Sequence, residues 1–558
     1  MDEEIIEEFR ELFDFDKAKK NVILDKIITD DIITGQKIDI SNDVYKDTNI
    51  DNWATKIPTL EGSKILIDKL IKHPINDREL LIRRQNAFVD YDIDIEILKD
   101  YEEDILWIYK ISEEINDNSS IEILFPSSFI ISYMNYFEFL LDSYHMYKIY
   151  FIPITSILYP VSTFFAPYFY LKNYMKLDIT FSSYINTIYY IISVLLRTTG
   201  NFRQDLTKFV TLFLYVGIYL YNMYQTYEIA VFLYNTKQKL HEKMEGLVKF
   251  VKHSINITKN VSKTVLDPFF DIDKDFYNID INNSMTDIYK IWKDEKLKTQ
   301  LSDLLKTIYG IDVLYSINNL LLSNDWSVPE YKNDTTLWAA KNPILNNEQI
   351  SNPINLDKSI IVTGPNAGGK TTYVKTILSN VILSQTFGIT YSLKSNMIIY
   401  DTINSFMRVS DELGNKSYFE AEAEYCLNMI NKAKLINENG EKGLFLMDEP
   451  MHSTPPTEGM ATAYAVIEYL SKISGISLII TTHFHKLVEL EDIYPNKFIN
   501  LSVDAIPEDN KYYFPYKIRN GHSYLCIAIE LLDIKDFPKE IIDNAIKMKN
   551  KICYNFNK

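Results

Sequence analysis

Cysteine is scarce: Cys426, Cys526 and Cys553 are the only three in 558 residues. They are too few and too scattered for a disulfide framework or a thiolate zinc site, the usage expected in a reducing compartment. Basic charge is also short, with 58 Lys and Arg against 76 Asp and Glu. Bulk attraction to nucleic acid is therefore excluded, and any DNA contact must be local. The opening run MDEEIIEEFRELFDFD lacks the basic character of a secretory or transit peptide, so a cleaved targeting segment is not expected. Hydrophobic residues at 46% and charged residues at 24% exclude global disorder and low-complexity classes. The length corresponds to about three or four domains of ordinary size.

Residues 1–52 form an acidic N-terminal segment; 1–51 carry 15 acidic and 7 basic side chains, a net of −8. Ile5, Phe9 and Phe13 lie at helical spacing and predict an amphipathic helix followed by a solvated tail. Residues 53–148 read as the first part of a helical core. There Ile65, Leu66 and Leu70 precede a break at Pro74, and Asp77 stands where a helix N-cap belongs.

The segment 149–234 has a different character. Residues 149–171 contain no charge in 23 positions, 179–196 none in 18, and 209–227 none in 19. A bilayer core is crossed by about 20 apolar residues, so the first and third runs are long enough to span and the second is marginal. Pro153, Pro160 and Pro167 are tolerable in a membrane helix and disruptive in a soluble one. Two readings stand open: membrane-spanning helices, or buried helices packed in a large soluble core.

Residues 235–335 read as a second helical lever and core part. Within it 236–265 hold seven lysines, two histidines and two glutamates, with Leu240, Met244, Leu247 and Val251 stepping by four, three and four. That spacing lays one apolar stripe on a partner, and the lysines suit a solvated face, a membrane-proximal segment or a phosphate-contacting arm. From 336 to 558 short apolar runs (SIIVTG, MIIYDTI, GLFLMDEP, SLIITTH) alternate with helical stretches. The fold class expected is an α/β P-loop NTPase domain at the C-terminus, preceded by an all-α core and lever region with apolar helices, membrane-spanning or buried.

Three motifs carry chemistry. Gly364-Pro365-Asn366-Ala367-Gly368-Gly369-Lys370-Thr371-Thr372 follows a strand-like run and opens a helical one, the context of a phosphate-binding P-loop. Its glycines let backbone N–H groups curl round phosphates; Lys370 would reach the β- and γ-phosphates and Thr371 would hold Mg²⁺. Gly443 to Pro450 ends a buried strand in Asp448 and Glu449, one carboxylate for the Mg²⁺ shell and one for the attacking water. Ser477 to His483 ends another strand in a histidine that can hydrogen-bond the γ-phosphate.

Residues 350–545 resemble the ATPase domain of the MutS family of DNA mismatch repair proteins. The resemblance runs in order through GPNAGGKTTYVK, DTINSFMRVSDELGNKSYFEAE, LFLMDEP, TTHFHKL and YKIRNGHSYLCIAIELL. It extends more weakly to LIDKLIKHPINDRELLIRRQNAFV and IDVLYSINNLLLSNDWSVPEY, which look like parts of the family's helical core. It implies ATP and Mg²⁺ as cofactors, Glu449 as general base, and Ser417 as the residue with which one subunit completes its partner's nucleotide site, hence a homodimer of ATPase domains. Departures are Ala367 where the family usually has Met, Ser-Tyr-Phe-Glu at 417–420 where it has Ser-Thr-Phe-Met, and Glu458-Gly459 where it has Asp-Gly. About 50 residues of net acidic character precede the core, too few for the family's mismatch-reading domain.

The function expected is a MutS-like ATPase coupling its cycle to DNA binding of the mismatch-repair type without that domain. The alternatives are a membrane-anchored MutS-like ATPase with no repair role, and an ABC-type transporter half, against which the lack of an LSGGQ-like signature counts. DNA and a membrane are the macromolecular partners left open. The expected location is the cytoplasmic or nuclear face, with 149–227 as the anchor on the membrane reading.

Overall fold

The computed structural model describes residues 15–556 except 90–92, 115–123, 129–130, 199, 262–263, 274–275, 347, 408–417, 454, 509–510, 524–527 and 536. The expected helix through Ile5, Phe9 and Phe13 lies outside the described residues. Two compact units form, each from discontinuous stretches. One takes the chain up to Ile27, Ile97–Asn256 and Lys274–Leu305; the other takes Ile28–Glu96, Ile257–Asp273 and Lys306–Lys558. Each unit therefore draws on more than one of the stretches divided in sequence at 52, 148, 234 and 335.

The second unit is built on a seven-stranded sheet. Its order is Asp39–Ile40, Thr402–Phe406, Gly443–Asp448, Ile476–Thr481, Ser359–Thr363, Phe498–Val503 and Ile518–Asn520. All neighbours are parallel except the last pair. The central strands are apolar on both faces because helices cover both, as the runs SIIVT and GLFLM require. The expected run MIIYDTI is divided: Met397 ends a strand of a separate four-stranded sheet, and Thr402 begins a strand of the main one. Gln385 causes the break. Its side chain accepts from Tyr400 N at 2.9 Å and donates to Tyr400 O at 2.8 Å, taking both backbone groups that a ladder would use.

The solvated tail expected after the N-terminal helix within 1–51 is packed over 28–50. Ile28, Ile32, Ile38, Val44 and Ile50 are buried, and Asp39–Ile40 forms the edge strand. The segment is acidic only on its outer positions. Asp77 caps the helix Arg78–Gln85 as expected, accepting from Glu79 N and Leu80 N. Seven residues on, Arg84 is fully buried and donates to three carbonyls: Pro268 O at 3.0 Å, Thr386 O at 2.6 Å and Thr34 O at 2.8 Å. Asp312, also buried, accepts from Leu60 N at 2.8 Å and Thr59 N at 3.0 Å, placing its carboxylate at the start of helix Glu61–Ile71.

The first unit is helical. Helix Phe202–Asn260 runs for 59 residues, and its predicted stripe of Leu240, Met244, Leu247 and Val251 is buried. Gly246 lets helix Glu96–Glu114 cross closely: a Cβ there would meet Asp104 Oδ2 at 1.9 Å, and Asp104 pairs with Lys243 at 2.6 Å. Beyond this packed part most large apolar side chains of 149–234 are exposed, with Tyr168, Ala230 and Leu233 buried. No residue of the apolar window in Glu138–Tyr174 or in Phe202–Asn260 is buried.

Candidate nucleotide site

Strand Ser359–Thr363 is buried at every position and sits between two parallel neighbours, so the loop after it emerges at the carboxyl edge of the sheet. Gly364 has φ +126, and a Cβ there would lie 2.4 Å from Val503 O. Glycine is therefore required at the first turn. Pro365 O accepts from Gly368 N at 3.0 Å, closing a tight turn over Asn366–Gly368. Gly369, at φ +95, leads into helix Lys370–Thr386. The loop thus ends on the positive end of a 17-residue helix. Lys370 is buried and folds back to donate to Gly364 O at 2.8 Å, holding its ammonium inside the loop.

Asp448 and Glu449 end the adjoining strand but one. Thr371 Oγ1 lies 3.2 Å from Asp448 Oδ2, and Thr481 Oγ1 donates to Asp448 Oδ1. Burial pushes the Asp448 carboxyl above its ordinary range, against the hydrogen bonds from Thr481 and Thr371. Glu449 has φ +52, a left-handed conformation that costs a non-glycine residue about 1–3 kcal/mol. Its N–H holds that turn in place by donating to Thr481 O at 3.0 Å. Its Oε1 lies 2.8 Å from His483 Nε2, and that hydrogen bond holds the Glu449 carboxyl below its ordinary range. His483 Nε2 is also 3.4 Å from Lys370 Nζ. The three motifs separated in sequence therefore meet within one cluster.

A cavity of about 420 Å³ opens beside the loop, lined by Gly369, Thr372, Tyr373, Ile350, Tyr516 and Ile518 among others. Sequence reasoning missed Ile350 and Tyr516. Asn352 joins their two segments, donating to Tyr516 O and accepting from Ile518 N, both at 2.9 Å. Glu422, the last residue of the Asp411 to Glu422 run, was also missed as a site neighbour. It is buried and accepts from Ser453 Oγ just past the acidic turn, tying helix Tyr418–Asn439 to it. Ser417 itself lies outside the described residues. Of Pro365 and Ala367, the first is buried and the second exposed.

The donors present fit a nucleoside triphosphate and Mg²⁺. A buried ammonium, a helix start and curled backbone suit phosphates. Thr371 and Asp448 are two hard oxygen donors in mutual contact, and the raised Asp448 carboxyl would be eased by a cation beside it. Among the described residues no group of three or more His, Cys, Asp and Glu side chains could hold a metal alone. That suits an ion whose other ligands come from phosphate and water.

The family described as MutS domain V matches residues 360–553. Proteins named DNA mismatch repair protein MutS from Exiguobacterium sp., Geobacillus sp. and Prochlorococcus marinus are 24%, 27% and 31% identical over 262, 256 and 283 residues. These matches take in 45%, 44% and 47% of this chain and 30%, 29% and 30% of the relatives. The chain thus spans about a third of the length of the curated relatives it matches.

Proposed function

We propose that the chain, a MutS-family member through its C-terminal domain, is a Mg²⁺-dependent ATPase working as a dimer on DNA. One observation carries this: Lys370, Thr371, Asp448, Glu449 and His483 converge at a P-loop beside a cavity sized for a nucleoside. In this mechanism the loop N–H groups and Lys370 cradle the phosphates, and the cavity from Thr372 to Tyr516 takes the base and ribose. Thr371 and Asp448 would hold Mg²⁺, which would supply charge neutralisation to the phosphates. Glu449 takes the proton of the attacking water. Its pairing with His483 couples that step to substrate, since a γ-phosphate drawing His483 and Lys370 toward itself would release the Glu449 carboxylate.

Ser417 would complete the site of a second subunit, and the repair names of the relatives support DNA as the polymer on which the cycle acts. The test is Glu449→Gln, expected to keep ATP binding while slowing turnover by at least about 10², the range for a lost general base. Unchanged turnover with intact binding would reject Glu449 as the base.

A further inference from the structure

The apolar arm of the first unit carries an inference independent of the ATPase reading. Helix Glu138–Tyr174 and the first half of helix Phe202–Asn260 lie antiparallel: Lys237 pairs with Asp142 at 2.7 Å, and Tyr219 Oη donates to Ser156 O at 3.2 Å. The uncharged runs 149–171 and 209–227 therefore face each other. At the α-helical rise they measure about 34 Å and about 28 Å, against a hydrocarbon core of about 30 Å.

Which surface covers them is decided by how the apolar side chains are distributed. Four consecutive residues of an α-helix point round the full circle. Phe213, Leu214, Tyr215 and Val216 are 81%, 59%, 71% and 49% exposed. Ile157, Leu158, Tyr159 and Val161 are likewise exposed on the other helix. A protein partner covers one face and leaves the opposite one polar to meet water; here the outward faces are apolar all round. Only a surrounding apolar medium satisfies such a surface.

The ends are built differently from the middle. At the tip lie Lys172, Lys176, Arg197, Arg203 and Lys208 against Asp178 and Asp205. Helix Phe181–Leu196 folds beside this end, with Tyr184 Oη donating to Phe164 O at 2.6 Å and Phe181 stacked on Phe165. A cavity of about 420 Å³ there is lined by Arg197, Lys208, Phe209 and Tyr215 among others, mixing cationic and aromatic groups. Tyr147, Tyr150, Tyr221, Tyr224 and Tyr227 are exposed at the opposite end of the uncharged runs. Aromatic and cationic bands bounding an uncharged slab are the pattern of a bilayer's two interfaces.

We propose that the arm is a hairpin that crosses a lipid bilayer, with 172–208 on the far side and both the ATPase domain and the N-terminal core on the near side. An even number of crossings is what the chain requires to return to the packed part of the first unit. The test expresses the full chain in bacterial cells. It should sediment with membranes, resist a carbonate wash and float with lipid. An added cysteine at the tip, Asp178→Cys, should react with a membrane-impermeant maleimide in intact cells whose outer membrane is permeabilised. A cysteine on the ATPase domain, Asn496→Cys, should react only after lysis. Leu158→Lys with Leu214→Lys, placed mid-slab, should cut the carbonate-resistant fraction several-fold while ATP binding persists. A chain that is soluble without detergent, as monomer or as an arm-mediated dimer of two copies, would overturn the proposal. So would a carbonate-resistant chain whose Asp178→Cys stays unlabelled in intact cells, since the hairpin would then enter the bilayer without crossing it.

Discussion

Replacing Arg84 by Met should destabilise the second unit by about 2–4 kcal/mol, and the estimate comes from two opposed terms. Arg84 donates to Pro268 O, Thr386 O and Thr34 O. Left without a donor in the interior, a carbonyl costs about 1–3 kcal/mol. Against that, burial pushes the guanidinium pKa down to about 10, and at 1.36 kcal/mol per unit its removal would return about 3 kcal/mol. The ring of Phe269, 5.1 Å from the guanidinium, adds attraction that Met forgoes. Three orphaned carbonyls outweigh one relieved charge, so the sign is destabilising.

Arg84→Lys separates this account from a simple preference for positive charge. An ammonium at the same site keeps the burial cost but cannot reach three carbonyls with the fixed fork of a guanidinium. It should therefore be worse than Met, by roughly 3–5 kcal/mol in all. Thermal unfolding followed by tryptophan fluorescence, with all three proteins in the same detergent, measures the order. A Met variant within about 0.5 kcal/mol of the parent, the scatter of neutral surface changes, would refute the network. A Lys variant milder than Met would refute the geometric reasoning.

Asp448→Asn should raise the melting temperature of the nucleotide-free protein while abolishing Mg²⁺-dependent turnover. Burial raises the folded-state pKa of Asp448, so the native state holds its proton to higher pH than the unfolded chain does. Stability contributed there falls as pH rises through that window, and Asn removes the loss. His483→Ala takes away the hydrogen bond that holds the Glu449 carboxyl down, leaving burial to raise it; the acid limb of the pH–rate profile should move to higher pH, and an unmoved limb would dissociate the pair from catalysis. Lys370→Ala and Ser417→Ala chains, each inactive alone, should regain part of the activity when mixed, because one composite site then has an intact loop and an intact partner serine. No recovery in a verified mixed dimer would argue for sites completed within one chain.

The P-loop and the acidic strand end were legible because their chemistry is local. A buried strand, a glycine turn and a lysine at a helix start are contiguous, and each constrains the next. Lys370, Asp448 and His483 can meet because the P-loop that leads to Lys370, the acidic pair and the histidine all follow or close the carboxyl ends of parallel strands in one sheet. The cavity wall was not legible. Tyr516 and Ile350 line it only because Asn352 bridges segments 164 residues apart, and no periodicity reports such a bond. The edge strand Asp39–Ile40 was hidden for another reason: two residues in an acidic run carry too little pattern, and their pairing depends on Thr402 and Ile403 far along the chain. MIIYDTI misled because one side chain, Gln385, outcompeted a ladder that composition favoured. In the arm, apolar content was plain, but composition alone assigns no face, and burial and exposure of the same residues give the same sequence.

Both ends of the protein are explained by one physical criterion, the location of groups in surroundings that disfavour them. Around the P-loop, Lys370 is buried, Asp448 is pushed toward its neutral form by burial, and Glu449 adopts a left-handed backbone. Each lowers stability, and all three are held by neighbours that do not share the penalty. Thr481 fixes the acidic turn, Glu422 fixes Ser453 beyond it, and Ile360 to Val362 with Leu444 to Met447 bury the strands beneath. Groups held against their preference in a rigid frame mark preorganisation, and on the proposed function a polyphosphate with a divalent cation would relieve them. In the arm the disfavoured groups are apolar and the surroundings aqueous. The contacts that join the two helices, such as Tyr219 to Ser156 O, leave most of those side chains exposed. A strained polar cluster inside a sheet and an exposed apolar surface are therefore opposite cases: an ionic ligand would relieve the first under the proposed function, and a hydrocarbon phase the second under the proposed hairpin.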